Sequence, residues 1–374
     1  MEPPAVTLFL GGDVMTGRGI DQILAHPSKP ELHEPFVEDA REYVRLAEQV
    51  SGQVPRGAGS DYIWGDALAE WTRRSPAARI VNLETSITRC DTYDRAKSIH
   101  YRMHPANVGC LSAARLDVCT LANNHVLDYG RDGLVETLQT LQQAGVKVAG
   151  AGRTRDEATR PTVCALPGGQ HLFVGACAHA SSGVPVEWAA RGDTPGLSLL
   201  PDLSAATAAA MAATVAGPKL PADIAVLSIH WGDNWGYDVP PQHVEFAHRL
   251  VERGIDIVFG HSSHHVRPIE IYRDRLIVYG CGDFIGDYEG IKGYEQYRDD
   301  LMLMLFPSLA PTGGRLLALD IVPMHIRHMR LNRASTADAR WLAGTVNRIS
   351  RAYGTELRLA ADGALRWTEA YALP

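Results

Sequence analysis

Short apolar runs recur along this chain, and most of them stop at a polar cluster. Val6-Thr7-Leu8-Phe9-Leu10 runs into Gly11-Gly12-Asp13, and Ala78-Arg79-Ile80-Val81 into Asn82-Leu83-Glu84. Asp117 to Ala122 is followed by Asn123-Asn124-His125, and Ile224 to Ile229 by His230-Trp231-Gly232. Ile255 to Phe259 leads into Gly260-His261-Ser262-Ser263-His264-His265. Apolar runs of this length, bounded by glycine and polar residues, predict buried strands. Leu172 to Cys177 and Leu316 to His325 predict two more, and Glu270 to Gly280 alternates about Arg273-Asp274 as a hairpin would.

Helical spacing fills several of the gaps. Leu134, Leu138 and Leu141 form one stripe, with Asp132 as the expected N-cap and Gly145 as the stop. Ser204 to Ala216 predicts a second helix, and Pro240 to Gly254 a third with Val244, Ala247, Leu250 and Val251 on one face. Ser335 caps a last helix carrying Trp341, Leu342, Val346 and Ile349. A helix followed by the short strand Val146 to Ala149 implies a right-handed crossover and a parallel sheet.

Residues 26–75 break the pattern with prolines and glycines, and read as an insertion over the rim, anchored by Trp64 and Trp71. No repeat or linker divides the 374 residues, so one domain over 1–374 is expected, with a C-terminal strand-plus-helix extension at 315–374. Composition adds little: 45% hydrophobic and 21% charged is an ordinary globular chain. A net charge of −7 argues against a nucleic-acid or anionic-membrane partner. No stretch approaches the roughly 18 apolar residues of a membrane helix, and no signal-peptide pattern opens the sequence, so a cytoplasmic protein is expected. The six cysteines form no CxxC pair and are expected to be free.

The polar clusters are the informative part. Five strand ends carry Asp13, Glu84, Asn124 with His125, His230, and His261 with His264. Any one of these is an ordinary turn residue. In an open α/β sheet, however, ligands bind at the carboxyl ends of the strands, where all five would converge. Carboxylate, amide and imidazole together suit manganese, iron, zinc or magnesium. There are too many groups for one tetrahedral ion, so two divalent ions with Glu84 as the bridging carboxylate are expected.

The ordered set GDVMTGR, NLE, LANNHVLDYG, IHWG, GHSSHHVRPIE and YGCGDFIGD resembles the CapA family of poly-γ-glutamate capsule synthesis proteins, a branch of the calcineurin-like metallophosphoesterase superfamily. The resemblance covers residues 6–290. It implies a four-layer αββα sandwich of calcineurin-like metallophosphoesterase type with a two-metal site. It makes Asp13, Glu84, Asn124, His230, His261 and His264 the metal ligands, and His125 the histidine that contacts the reacting group. Met15 stands where most relatives of that superfamily carry a metal histidine. His265 is extra to the usual histidine spacing, and Asp283 and Asp287 fall at the site's edge.

Such a centre can polarise a phosphoryl or carbonyl oxygen, with His125 and His265 as acid and base and Asp13 as the third catalytic group. It can equally stabilise an enolate while bases exchange an α-proton. The soluble form, the spare bases and Met15 fit the branch of the family that includes lasso-peptide epimerases. The expectation is therefore a peptide epimerase acting on a peptide such as a ribosomal precursor. The alternative is a phosphoester or amide hydrolase, or a poly-γ-glutamate capsule synthesis protein. Arg18, Arg102 and Arg267 are candidate carboxylate clamps. Trp235 is a candidate aromatic subsite, Asp287 a further substrate contact, and Tyr288 and Glu289 a candidate flap.

Overall fold

The computed structural model describes residues 5–368. Among these, a ten-stranded and a six-stranded sheet account for most of the strands. Val6–Val14 sits near the middle of the larger sheet. It runs parallel to Ala78–Leu83, and that strand continues in parallel to Val118–Thr120 and Lys147–Ala149. On its other side the ladder is antiparallel, through Leu301–Leu309, Leu316–Arg327 and Leu365–Thr368. In the smaller sheet His171–Ala178, Ile224–His230, Ile257–His261 and Arg275–Val278 are parallel, with antiparallel edges at Thr162–Ala165 and Ile269–Tyr272. The expected parallel sheet is thus one side of the larger layer and the centre of the smaller; both sheets are mixed.

Period-two alternation stacks the layers. Along Ile224–His230, Ile224 and Val226 join the large core that also holds Leu8, Leu10 and Val81. Their neighbours Ala225, Leu227 and Ile229 pack instead with Ala208, Ala212, Phe246 and Leu250 of the helices Ala205–Val215 and Pro241–Glu252. A hydroxyl bond of 3.1 Å from Ser228 to Thr120 joins the two sheets. Against the larger sheet the helix Ala67–Arg74 lays Trp71 edge-on to Phe9, with centroids 5.1 Å apart. Phe9 is fully buried, which stabilises the fold by roughly 1.5–3 kcal/mol. The result is the layered α/β sandwich that the sequence predicts.

Trp64 and Trp71 are buried, packed against Phe284 and Phe9. Ser335 caps Thr336–Ser350 by accepting from the Asp338 N–H, as expected. Gly145 follows Gly130–Gln143 at φ 73°, as expected for a stop. Asp132 is not the N-cap of that helix. The chain is already helical at Gly130, and Asp132 lies in the first turn, where its charge complements the helix dipole. All six cysteines are free. No helix among the described residues is long and apolar enough to cross a membrane.

Candidate metal centre

Parallel strands deliver their C-terminal residues to one place. Asp13 lies at the end of Val6–Val14, with its N–H donating to the Gly282 carbonyl at 3.2 Å. It stands opposite Asp283 in the adjoining parallel ladder. His230 and His261 are register partners at the ends of adjacent strands. Donor atoms of Asp13, His230 and His261 lie within 4.8 Å of one another, all buried. Glu84, just past Ala78–Leu83, places Oε1 3.9 Å from His230 Nε2 and 3.8 Å from His125 Nε2. The sheet order thus brings together residues separated by most of the sequence.

Hydrogen bonds fix the remaining valences. Asn82 donates to Asp13 Oδ1 at 2.7 Å and to Glu84 Oε2 at 3.5 Å. The Ser262 N–H donates to Asp13 Oδ2 at 3.1 Å. Ser262 holds φ at 112°, a conformation that costs a serine energy and that the surrounding contacts enforce. His261 Nε2 meets the Ser228 hydroxyl at 2.6 Å, and its Nδ1 lies 2.8 Å from His230 Nδ1. His264 Nδ1 is 2.9 Å from Asp283 Oδ1.

Electrostatics mark the same spot. Burial, with the Asp283 carboxylate beside it, pushes Asp13 up to about 7. Burial and Asp13 raise Glu84 well above the usual carboxylate range. Burial lowers His230 well below an ordinary imidazole and takes His261 down to about 3. Neutral imidazoles beside crowded carboxylates are the protonation states that a cation requires and relieves. The buried atoms His230 Nε2, Asn124 Oδ1 and Asp283 Oδ2 have no hydrogen-bond partner. Orphaned acceptors of this kind are rare in a folded interior, and here they belong to metal-capable side chains. The donor set therefore fits divalent metal.

Beside the cluster, His125 Nδ1 is 2.6 Å from Asp128 Oδ2, and Lys97 also contacts the Asp128 carboxylate. The carboxylate assigns the ring proton to Nδ1 and leaves Nε2 facing Glu84. Burial holds His125 at about 4, so the ring is neutral. His265 is stacked on Tyr297 with centroids 4.5 Å apart and edge-on to Tyr237 at 4.9 Å.

The proposed substrate contacts are placed as follows. The Arg18 guanidinium is buried and taken up by Asp287 and Glu34, so Arg18 and Asp287 are committed to each other. Arg102 donates to the Cys90 carbonyl and Asp91. Arg267 donates to the carbonyls of Asp233, Trp235 and Asp238 and so braces that turn. Trp235 stacks on Tyr294 at 3.8 Å and lies 5.3 Å from the His264 ring. Tyr288 reaches the centre, with its hydroxyl 3.4 Å from His264 Nε2. Asp283 stands opposite Asp13 in the ladder and bonds to His264, next to the cluster. Asn82, Asp128 and Lys97 were not singled out from the sequence. Asn82 and Asp128 fall inside quoted motifs at strand ends, a usable signal; Lys97 carries none.

A layered α/β sandwich with a buried Asp/Glu/His cluster at its strand ends defines a metal-binding protein class. The family described as bacterial capsule synthesis protein PGA_cap matches residues 7–288, and the chain belongs to that family. It is 47% identical to a probable polyglutamine synthesis accessory protein of Mycobacterium tuberculosis, over 97% of this chain and 96% of that one. It is 26% identical to the PGA biosynthesis protein CapA of Bacillus subtilis, over 84% of this chain and 70% of the relative. A capsule biosynthesis protein CapA of Bacillus anthracis is 27% identical over 63% and 54% of the two chains.

Proposed function

We propose that this chain is a metal-dependent accessory enzyme of poly-amino-acid synthesis that acts on an amide bond of a glutamate- or glutamine-type chain. The observation that carries the reading is the buried cluster of Asp13, Glu84, His230 and His261 with His125 Nε2 aimed at it. Similarity to proteins named for polyglutamine and PGA synthesis supports the substrate class. Asp13, Glu84, Asn124, His230, His261 and His264 would hold two divalent ions. When bound, such ions polarise a carbonyl oxygen and make water more acidic.

The protein's own groups do the rest. Asp128 fixes the His125 ring and its tautomer, as the orienting carboxylate does in hydrolytic sites. The neutral Nε2 can take a proton from the attacking group and return it to the departing amine. Burial of the cluster excludes bulk water and strengthens each electrostatic contact.

Cα epimerisation is the second reading, and it needs bases on both faces of the substrate carbon. His125 is one such base. The other named base, His265, is stacked among Tyr297, Tyr237 and Trp235, and this orders the two readings. Incubation of metal-loaded protein with oligoglutamate and oligoglutamine in D₂O separates them. New amine ends that vanish with chelator support amide cleavage. A one-dalton gain at Cα without cleavage would replace it with epimerisation, and neither change would reject both.

A further inference from the structure

Three tyrosines close around the Arg18 guanidinium beside the metal centre. Its carbon lies 3.9 Å from the Tyr43 ring centroid, 4.4 Å from that of Tyr101 and 5.7 Å from that of Tyr288. Asp287 and Glu34 hold the guanidinium, so the rings rest on a fixed cation. Tyr43 donates its hydroxyl to Glu34. The other two tyrosines face the centre. Tyr101 meets the His125 ring edge-on with centroids 4.6 Å apart, and Tyr288 places its hydroxyl 3.4 Å from His264 Nε2. The two hydroxyls are joined at 3.2 Å, with Tyr101 donating to Tyr288. They bridge the acid–base histidine and a proposed metal ligand.

The bridge decides where the Tyr288 proton points. Tyr288 accepts from Tyr101, so its own O–H needs another acceptor. His264 directs Nδ1 to Asp283, and Nε2 is the nitrogen facing the tyrosine. Asn234 Nδ2 approaches the same nitrogen at 3.2 Å, from an exposed position. A His264 Nε2 that ligates an ion has no lone pair to offer either group. The Tyr288 O–H is then without its acceptor while Tyr101 and Arg18 still hold the ring and oxygen in place. Gly286 leaves room for that ring: a Cβ there would stand 3.0 Å from Met15 Cε and 3.4 Å from Tyr288 Cδ2. A donor fixed in this way stabilises charge that develops beside it, and removing one such donor costs roughly a hundredfold or more in turnover.

Resting on the function proposed above, we infer that Tyr288 is a further catalytic residue, whose hydroxyl donates a hydrogen bond to the amide carbonyl oxygen as that oxygen gains negative charge. Tyr288 keeps its proton throughout, and His125 carries out the proton transfer. Tyr101 is a positioning residue that orients the Tyr288 hydroxyl. The same donor favours any tetrahedral oxyanion at the centre, so inorganic phosphate is a probe that needs no turnover.

Tyr288→Phe removes the hydroxyl and keeps the ring over Arg18. Metal-loaded parent and variant are compared by calorimetric titration with inorganic phosphate and by steady-state cleavage of oligoglutamate and oligoglutamine. The expected result is phosphate binding weakened about tenfold and kcat lowered about a hundredfold, with KM within about twofold and metal content and thermal midpoint unchanged. Equal phosphate affinity in the two proteins, no phosphate binding by the parent, equal kcat, or loss of metal from the variant would overturn the inference. The two arms separate its failure from that of the amide reading. A parent that cleaves neither chain, with phosphate binding weakened in the variant, rejects amide cleavage and keeps the hydroxyl as an oxyanion donor. A parent and variant that cleave equally well do the reverse.

Discussion

Two side chains carry the sharpest expectations at the residue scale. Asp128 touches His125 and not the cluster, so it is a positioning residue. Asp128→Asn is expected to lower turnover by about a hundredfold or more while leaving metal content unchanged, because a disordered tautomer removes general acid–base assistance. Loss of metal in that variant, or unaltered turnover, would contradict the assignment. Arg18 makes a different point. The sequence marks it as a carboxylate clamp because it lies beside the first motif, but spacing cannot show that Asp287 and Glu34 fold onto it. Arg18→Ala leaves two buried carboxylates without their partner and is expected to cost about 3–5 kcal/mol in urea unfolding. A change confined to substrate binding would restore the clamp reading.

Element by element, the strand ends were legible and the ladder partners were not. Asp13, Glu84, His125, His230 and His261 each follow an apolar run, and period and polarity suffice to place them. Asp283 belongs to a three-residue strand whose pairing opposite Asp13 depends on contacts some 270 residues apart, which no local pattern encodes. Leu301–Leu309 escaped for another reason. Pro307 argues for an edge, yet the strand lies between two neighbours, and its ladder to Val6–Val14 has no paired residues between Thr7 and Leu10, around the proline.

The junction of Asp13 with the late strand is tight. A Cβ on Gly12 would sit 1.8 Å from the Gly282 carbonyl oxygen. Gly12→Ala is accordingly expected to lower stability by about 3 kcal/mol and to reduce metal retention; a neutral effect on both would show that the strands can separate freely. Farther out, burial would raise Asp300, but hydrogen bonds from His325 and Arg298 outweigh it and hold the carboxyl well below the ordinary range. A depressed carboxyl stabilises the fold above its unfolded-state value, and the contribution fades as pH falls through the folded one. Urea midpoints should therefore decline less steeply with acidification in Asp300→Asn than in the parent; parallel curves would remove this pair from the acid limb.

For the whole molecule, the sandwich and its family were readable because motif order survives even where strand pairing is hidden. The enzymatic step was less readable, since one cluster can serve cleavage or proton exchange. The structure's main addition is the crowding of Asp13, Glu84 and Asp283 in a buried site with orphaned acceptors. Such a site is destabilising unless a cation fills it. Chelation should lower the thermal midpoint and reloading restore it, as a loss of about 3–4 kcal/mol of ligand stabilisation would do.

The most direct test is elemental analysis of protein purified without chelator, alongside His230→Ala. The account predicts about two divalent ions per chain in the parent, with at least one lost in the variant. Near-zero metal in the parent, or identical metal in both proteins, would contradict it.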